Sequence, residues 1–272
     1  MKKLLTWLLL FLGVCGASIF ALNAFEKTIL FQPEKGFDQN LLQTYGLEEI
    51  WLSTPENIRL HGVYHEQNPQ IIDLFFHGNA GNITNNEPNL RYLREAGVSF
   101  FMIDYPGYGL SQGHPSEESF YETAQIAYDY LIKQKNWKPE QIVINGQSLG
   151  GAVAVDLASK NPCKSLIIEA SFPSTAAVAK HLYPWIPYAL ITKNKFRSID
   201  KIPQVNCPIL ILHGDRDDLL PYRFAEELFD AAPEPKHLLT LPDLGHNDVL
   251  EYGKQGDYVE KINRFITTGE IQ

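Results

Sequence analysis

From Ile50 onward the chain alternates short apolar runs with helical patterns, and that alternation admits few folds. The runs cover residues 50–53, 58–64, 71–76, 98–103, 141–145, 165–169, 209–212 and 237–241. Several are apolar without a break, as parallel strands covered on both faces require. Helices lie between them. The clearest follows Pro115-Ser116, carries Glu117 and Glu118 in its first turn, and places Phe120, Ala124, Ala127, Tyr128 and Leu131 on one stripe. Strand, helix and strand in succession give an α/β fold, a doubly wound and mostly parallel sheet with helices on both faces. In such sheets the chemistry gathers at the carboxyl ends of the strands.

No repeat or Ser/Gly linker interrupts residues 26–272, so they read as one domain. Its 44% hydrophobic and 20% charged content suits a packed core rather than disorder. The 32 acidic residues outnumber 23 Lys and Arg, and a net charge of −9 repels phosphate backbones, so no nucleic-acid partner is expected. Cys15, Cys163 and Cys207 lack C-x-x-C spacing, which excludes a zinc site or a disulfide framework built on them. No metal and no cofactor are expected.

Residues 1–25 stand apart from the fold. Lys2 and Lys3 precede an uncharged stretch over 4–25, longer than the core of a cleaved signal and long enough for a membrane-spanning helix. The lysines favour an N-terminus left inside and a domain carried to the exported side, periplasmic or extracytoplasmic. Small residues at Ala17, Ala21 and Ala24 keep cleavage and secretion as the alternative.

After the run 141–145 comes Gly146-Gln147-Ser148-Leu149-Gly150 and the start of a helix. This G-x-S-x-G turn lifts a serine hydroxyl into the cleft, and its glycines are needed because side chains two residues before and after the serine would collide. Ser148 is the candidate nucleophile. The Leu149 N–H, at a helix N-terminus, is a candidate oxyanion donor.

A serine needs a base, and the base needs a carboxylate to hold its tautomer; in this fold the chain order is Ser, acid, His. Four histidines follow Ser148. His237 begins a strand at the end away from the site, His213 comes too early, and His181 lies in the segment expected to cover the cleft. His246, in the loop after the last strand, is the candidate base. For the acid, the turn after 209–212 offers Asp215, Asp217 and Asp218, and position leaves all three open.

Residues 26–268 resemble the α/β-hydrolase family. His213-Gly214, Asp217 and Leu220-Pro221 match its H-G-x-x-D-x-x-V-P acid pattern, with Leu220 in place of Val, and the resemblance makes Asp217 the acid. His77-Gly78-Asn79-Ala80-Gly81-Asn82, Asp104-Tyr105-Pro106-Gly107-Tyr108-Gly109 and Gly245-His246-Asn247-Asp248 resemble an N-terminally anchored branch of lysophospholipid lipases, protein depalmitoylases and bacterial serine hydrolases of unassigned substrate. By this resemblance the Asn79 N–H is the second oxyanion donor; Asn79 also reads as a residue of a tight left-handed turn, and the two readings are compatible. The turn 104–109 is expected to be structural and to line a wall of the site.

These residues imply a serine hydrolase that cleaves carboxylic ester or thioester bonds of small-molecule acyl or lipid-like substrates. A prolyl-type peptidase is the same-fold alternative, without a visible propeller domain, and a catalytically silent anchored binding protein is the alternative outside enzymes. Dehalogenases of this fold use an Asp where Ser148 stands. An aromatic-rich segment at about 172–206 is expected to form a small cap over the cleft or to pack as ordinary core. Aligning Leu166 with Ile209 in neighbouring strands brings Cys163 and Cys207 close to bridging range, with packing as free thiols the favoured reading.

Overall fold

The computed structural model describes residues 26–185, 193–248 and 258–271. Eight strands form the central sheet: β1 (Glu48–Ser53), β2 (Arg59–His65), β3 (Ile72–Phe76), β4 (Ser99–Ile103), β5 (Ile142–Gln147), β6 (Ser165–Glu169), β7 (Ile209–Gly214) and β8 (Lys236–Leu241). Their order is β1-β2-β4-β3-β5-β6-β7-β8. β2 runs antiparallel to both its neighbours, and every other pair is parallel. Each run read from the sequence is a strand, with ends shifted by a residue or two. The helices that matter here are α1 (Glu87–Glu95), α2 (Glu117–Lys133), α3 (Leu149–Ala158), α4 (Thr175–Leu182), α5 (Arg223–Ala231) and α6 (Tyr258–Thr268).

Strand side chains alternate between faces, and here both faces are apolar. Leu74, Ile144, Ile168 and Ile211 meet α2, α3 and α5 on one side, whereas Val143, Ile167, Leu210 and Leu212 share the other core with Phe265 and Ile266 of α6. The helix read after Pro115 begins as the sequence implied: Ser116 Oγ accepts from the Ser119 amide at 3.1 Å, and Ser119 Oγ accepts from the Ser116 amide at 2.9 Å. α1 follows β3 on one face and α3 follows β5 on the other, so a crevice opens between the carboxyl ends of these adjacent strands.

Leu166 does pair with Ile209. The thiols of Cys163 and Cys207 stand 3.0 Å apart and are free. The anchor segment lies outside the described residues, and among the described residues no helix is long and apolar enough to cross a membrane.

A pair of acids is buried in the sheet. Asp73 on β3 accepts from Asn145 Nδ2 at 3.1 Å, and Glu169 sits nearby on β6. Burial raises the Asp73 carboxyl from 3.8 to about 8 and that of Glu169 from 4.5 to about 7. The folded chain therefore keeps protons that the unfolded chain has already lost. This contribution to stability is complete below the unfolded values and drains away as pH rises toward 8. Asp73→Asn, which keeps the acceptor for Asn145, is expected to raise the melting temperature by several degrees at pH 8 and by much less at pH 5. Parallel melting curves of the two proteins across that range would contradict the assignment of a proton to Asp73.

Candidate active site

Ser148 stands between β5 and α3 with φ 53° and ψ −116°, a conformation that costs a non-glycine residue energy and is held only by its surroundings. Its amide donates to Glu169 O at 2.8 Å, and Ser171 Oγ donates to Ser148 O at 2.8 Å. Both flanking glycines are sterically required. A Cβ on Gly146 would lie 2.1 Å from Gly150 O, and one on Gly150 would lie 2.0 Å from Phe76 O on the adjacent strand.

The loop after β8 brings His246 Nε2 to 3.1 Å from Ser148 Oγ, and the turn after β7 brings Asp217 Oδ2 to 2.7 Å from His246 Nδ1. Of the three carboxylates in that turn only Asp217 is buried. Its other oxygen accepts from the Leu219 and Leu220 amides at 3.0 and 2.7 Å. Burial acts to raise its pKa, but hydrogen bonds from His213 and His246 outweigh it and hold the carboxyl well below the ordinary range. Asp215 accepts from the Asp243 amide at 2.7 Å in an exposed turn, and Asp218 faces solvent.

Asn79 and Leu149 both line the cavity, and their amides have no backbone acceptor among the described residues. Asn79 is a bend residue without a positive φ, so it is not a left-handed turn residue, and just beyond it Ala80 pairs with Gln32 in a short parallel bridge. The turn 104–109 does not line the cavity either. Asp104, Tyr105 and Tyr108 are buried beneath the loop instead, because their side chains reach back to β2 and to the end of β3.

One neighbour of the site escaped the sequence reading. His213 is fully buried, with Nε2 donating to Leu220 O at 2.6 Å and standing 3.2 Å from Asp217 Oδ2. Chain order sets it aside as the base. The signal available for it was its place in the acid pattern four residues before Asp217. His181 is half-buried on α4 beside Arg223, and His237 pairs with Glu270, both away from the site.

A cavity of about 690 Å³ opens in front of Ser148. Its lining combines apolar residues, Ile29, Leu30, Phe172, Val178, Leu182 and Tyr183 among them, with the amide side chains of Gln32, Asn79, Asn85, Asn89, Gln147 and Asn247. No lysine or arginine lines it among the described residues. α4 supplies part of the apolar wall, so the described part of 172–206 does border the cleft. Glu26 closes another part, its carboxylate accepting from the Lys193 and Asn194 amides at 3.2 and 3.0 Å and from Asn194 Nδ2 at 3.2 Å.

An open sheet with one reversed strand and a strained serine facing a histidine at its strand ends is the architecture of an α/β hydrolase. The chain belongs to the α/β-hydrolase family. The alpha/beta hydrolase fold family matches residues 74–190. Uncharacterized protein Rv2307c of Mycobacterium tuberculosis is 34% identical over 225 residues, 80% of this chain and 79% of that one. The alpha/beta hydrolase domain-containing protein WAV2 of Arabidopsis thaliana is 30% identical over 237 residues, covering 77% and 76%. Among solved structures, the Pyrococcus furiosus esterase Pf2001 superposes with a TM-score of 0.71 at 14% identity, over 89% of this chain and 99% of that one, a likeness of fold.

Proposed function

We propose that this hydrolase is a serine esterase or thioesterase acting on acyl or lipid-like substrates. The observation that carries the reading is the continuous line from Ser148 Oγ through His246 to buried Asp217, at 3.1 and 2.7 Å. In the reaction His246 Nε2 takes the Ser148 proton as Oγ bonds to the substrate carbonyl carbon, while Asp217 holds the Nδ1–H and the imidazolium that forms. The Asn79 and Leu149 amides receive the oxyanion. The tetrahedral species collapses as His246 returns its proton to the departing alcohol or thiol. Water then repeats the cycle on the acyl-serine, releasing a carboxylic acid and free Ser148.

The apolar residues of the cavity lining suit an acyl chain, and a lining without Lys or Arg among the described residues favours an uncharged leaving group over a phosphate-bearing one. Residues 1–25 serve in this reading as a membrane anchor with the domain on the exported side. The test is a fluorophosphonate probe followed by a panel of esters and thioesters of graded acyl length. Labelling and turnover that favours medium or long acyl chains with neutral leaving groups are expected. A folded protein that neither labels nor turns over any of the panel would sink the reading.

A further inference from the structure

The loop after β3 runs through His77, Gly78 and Asn79, and all three of its carbonyls are occupied. Tyr105 Oη donates to His77 O at 3.0 Å, and Asn79 O accepts from Tyr108 Oη at 2.7 Å and from the Gln32 amide at 2.9 Å. The carbonyl between them, Gly78 O, lies 2.8 Å from Nδ1 of the His77 ring. A carbonyl only accepts, so Nδ1 carries the hydrogen. The peptide that joins Gly78 to Asn79 is planar, with its C=O and N–H pointing opposite ways. Holding Gly78 O from one side therefore fixes the direction of the Asn79 N–H on the other.

Behind the ring a carboxylate lies within ion-pair distance of His77 Nε2, which has no hydrogen bond of its own. His77 Nε2 stands 3.4 Å from Asp104 Oδ1, Asp104 Oδ2 stands 3.6 Å from His61 Nδ1, and His61 Nε2 stands 3.2 Å from Glu49 Oε1. His61, His77 and Asp104 are wholly inaccessible to solvent, and the Ile83 amide donates to Asp104 Oδ1 at 3.0 Å. Burial alone would raise the Asp104 carboxyl, but the two imidazoles bring it below its ordinary value. Buried ionic groups are a weak source of stability. A row of them that ends on the peptide beside the nucleophile has a different use.

We propose that Asp104 and His77 form a positioning pair that fixes the Gly78–Asn79 peptide as an oxyanion donor. The proposal rests on the serine-hydrolase reading and adds to it residues that never touch substrate. An oxyanion donor acts on the tetrahedral species and much less on the bound ester. Loosening it therefore lowers kcat and leaves KM in place.

The experiment compares the full chain with His77→Ala and with the near-isosteric Asp104→Asn. It measures kcat and KM on a p-nitrophenyl acyl ester, and the inhibition constant of an alkyl trifluoromethyl ketone, whose adduct with Ser148 carries an oxyanion. Circular dichroism establishes that each variant is folded. Either folded variant is expected to lose about 10- to 100-fold in kcat, as a donor displaced rather than deleted should. KM should stay within about threefold, and the inhibition constant should rise in step with the loss of kcat. His77→Gln, which restores a side-chain donor, should recover part of the loss and stands in if the other two do not fold. Folded variants with unchanged kcat overturn the proposal, as does a loss expressed wholly in KM with inhibitor affinity unchanged. A parent chain inert to both fluorophosphonate and ester overturns the serine-hydrolase reading itself and the proposal with it.

Discussion

Ser148→Ala is expected to remove fluorophosphonate labelling completely and to lower ester turnover by about 10⁴- to 10⁶-fold, the scale seen when a nucleophile that works as part of a unit is deleted. The fold should survive. The Ser148 Oγ meets His246, while the elbow is held through the Ser148 backbone, whose amide donates to Glu169 O and whose carbonyl accepts from Ser171 Oγ. Alanine keeps a Cβ and hence the same strain at φ 53°, so the melting temperature should stay within a degree or two. Substantial turnover in a well-folded Ser148→Ala protein would mean that the chemistry runs elsewhere.

The second large effect concerns the carboxylate. Asp217→Asn is expected to cost about 10⁴-fold in kcat, because an amide in that place fails to hold His246 in the tautomer that accepts a proton at Nε2. Asp215→Asn and Asp218→Asn should each change kcat by less than about threefold. Asp215 serves an exposed turn through the Asp243 amide, and Asp218 is in solvent. Side-by-side kinetics of the three variants decide the point. A severe loss in Asp218→Asn with a mild one in Asp217→Asn would move the acid by one residue.

The parts of this molecule that were legible in its sequence are those written in local pattern. Eight short runs named the strands, the central ones most clearly because strands buried on both faces are mostly apolar. The glycines around Ser148 announced the elbow, because backbone crowding there leaves no alternative. Asp217 was legible only through resemblance. Asp215, Asp217 and Asp218 sit within four residues, and what separates them is burial and the reach of the His246 loop, neither of which is local. The row from Glu49 to His77 was out of reach for the same reason. It joins β1, β2 and the ends of β4 and β3, and the strand order that makes them neighbours is a property of the assembled sheet. Asn79 is a bend residue without a positive φ, and the loop it opens pairs with residues near Gln32, a partner distant in sequence.

That pairing, and the seat of Glu26, bear on how this protein is handled and how it is built. Residues 26–33 contribute to no strand of the central sheet, yet the Phe31 ring packs with its centroid 5.2 Å from that of Phe120 in the core, Leu30 lines the cavity, and Glu26 accepts from the Lys193 and Asn194 amides. This stretch is thus a keystone shared by the core, the cavity and the segment at 193–194. A recombinant boundary drawn at residue 34 would remove that keystone, whereas one drawn just ahead of Glu26 would leave it in place.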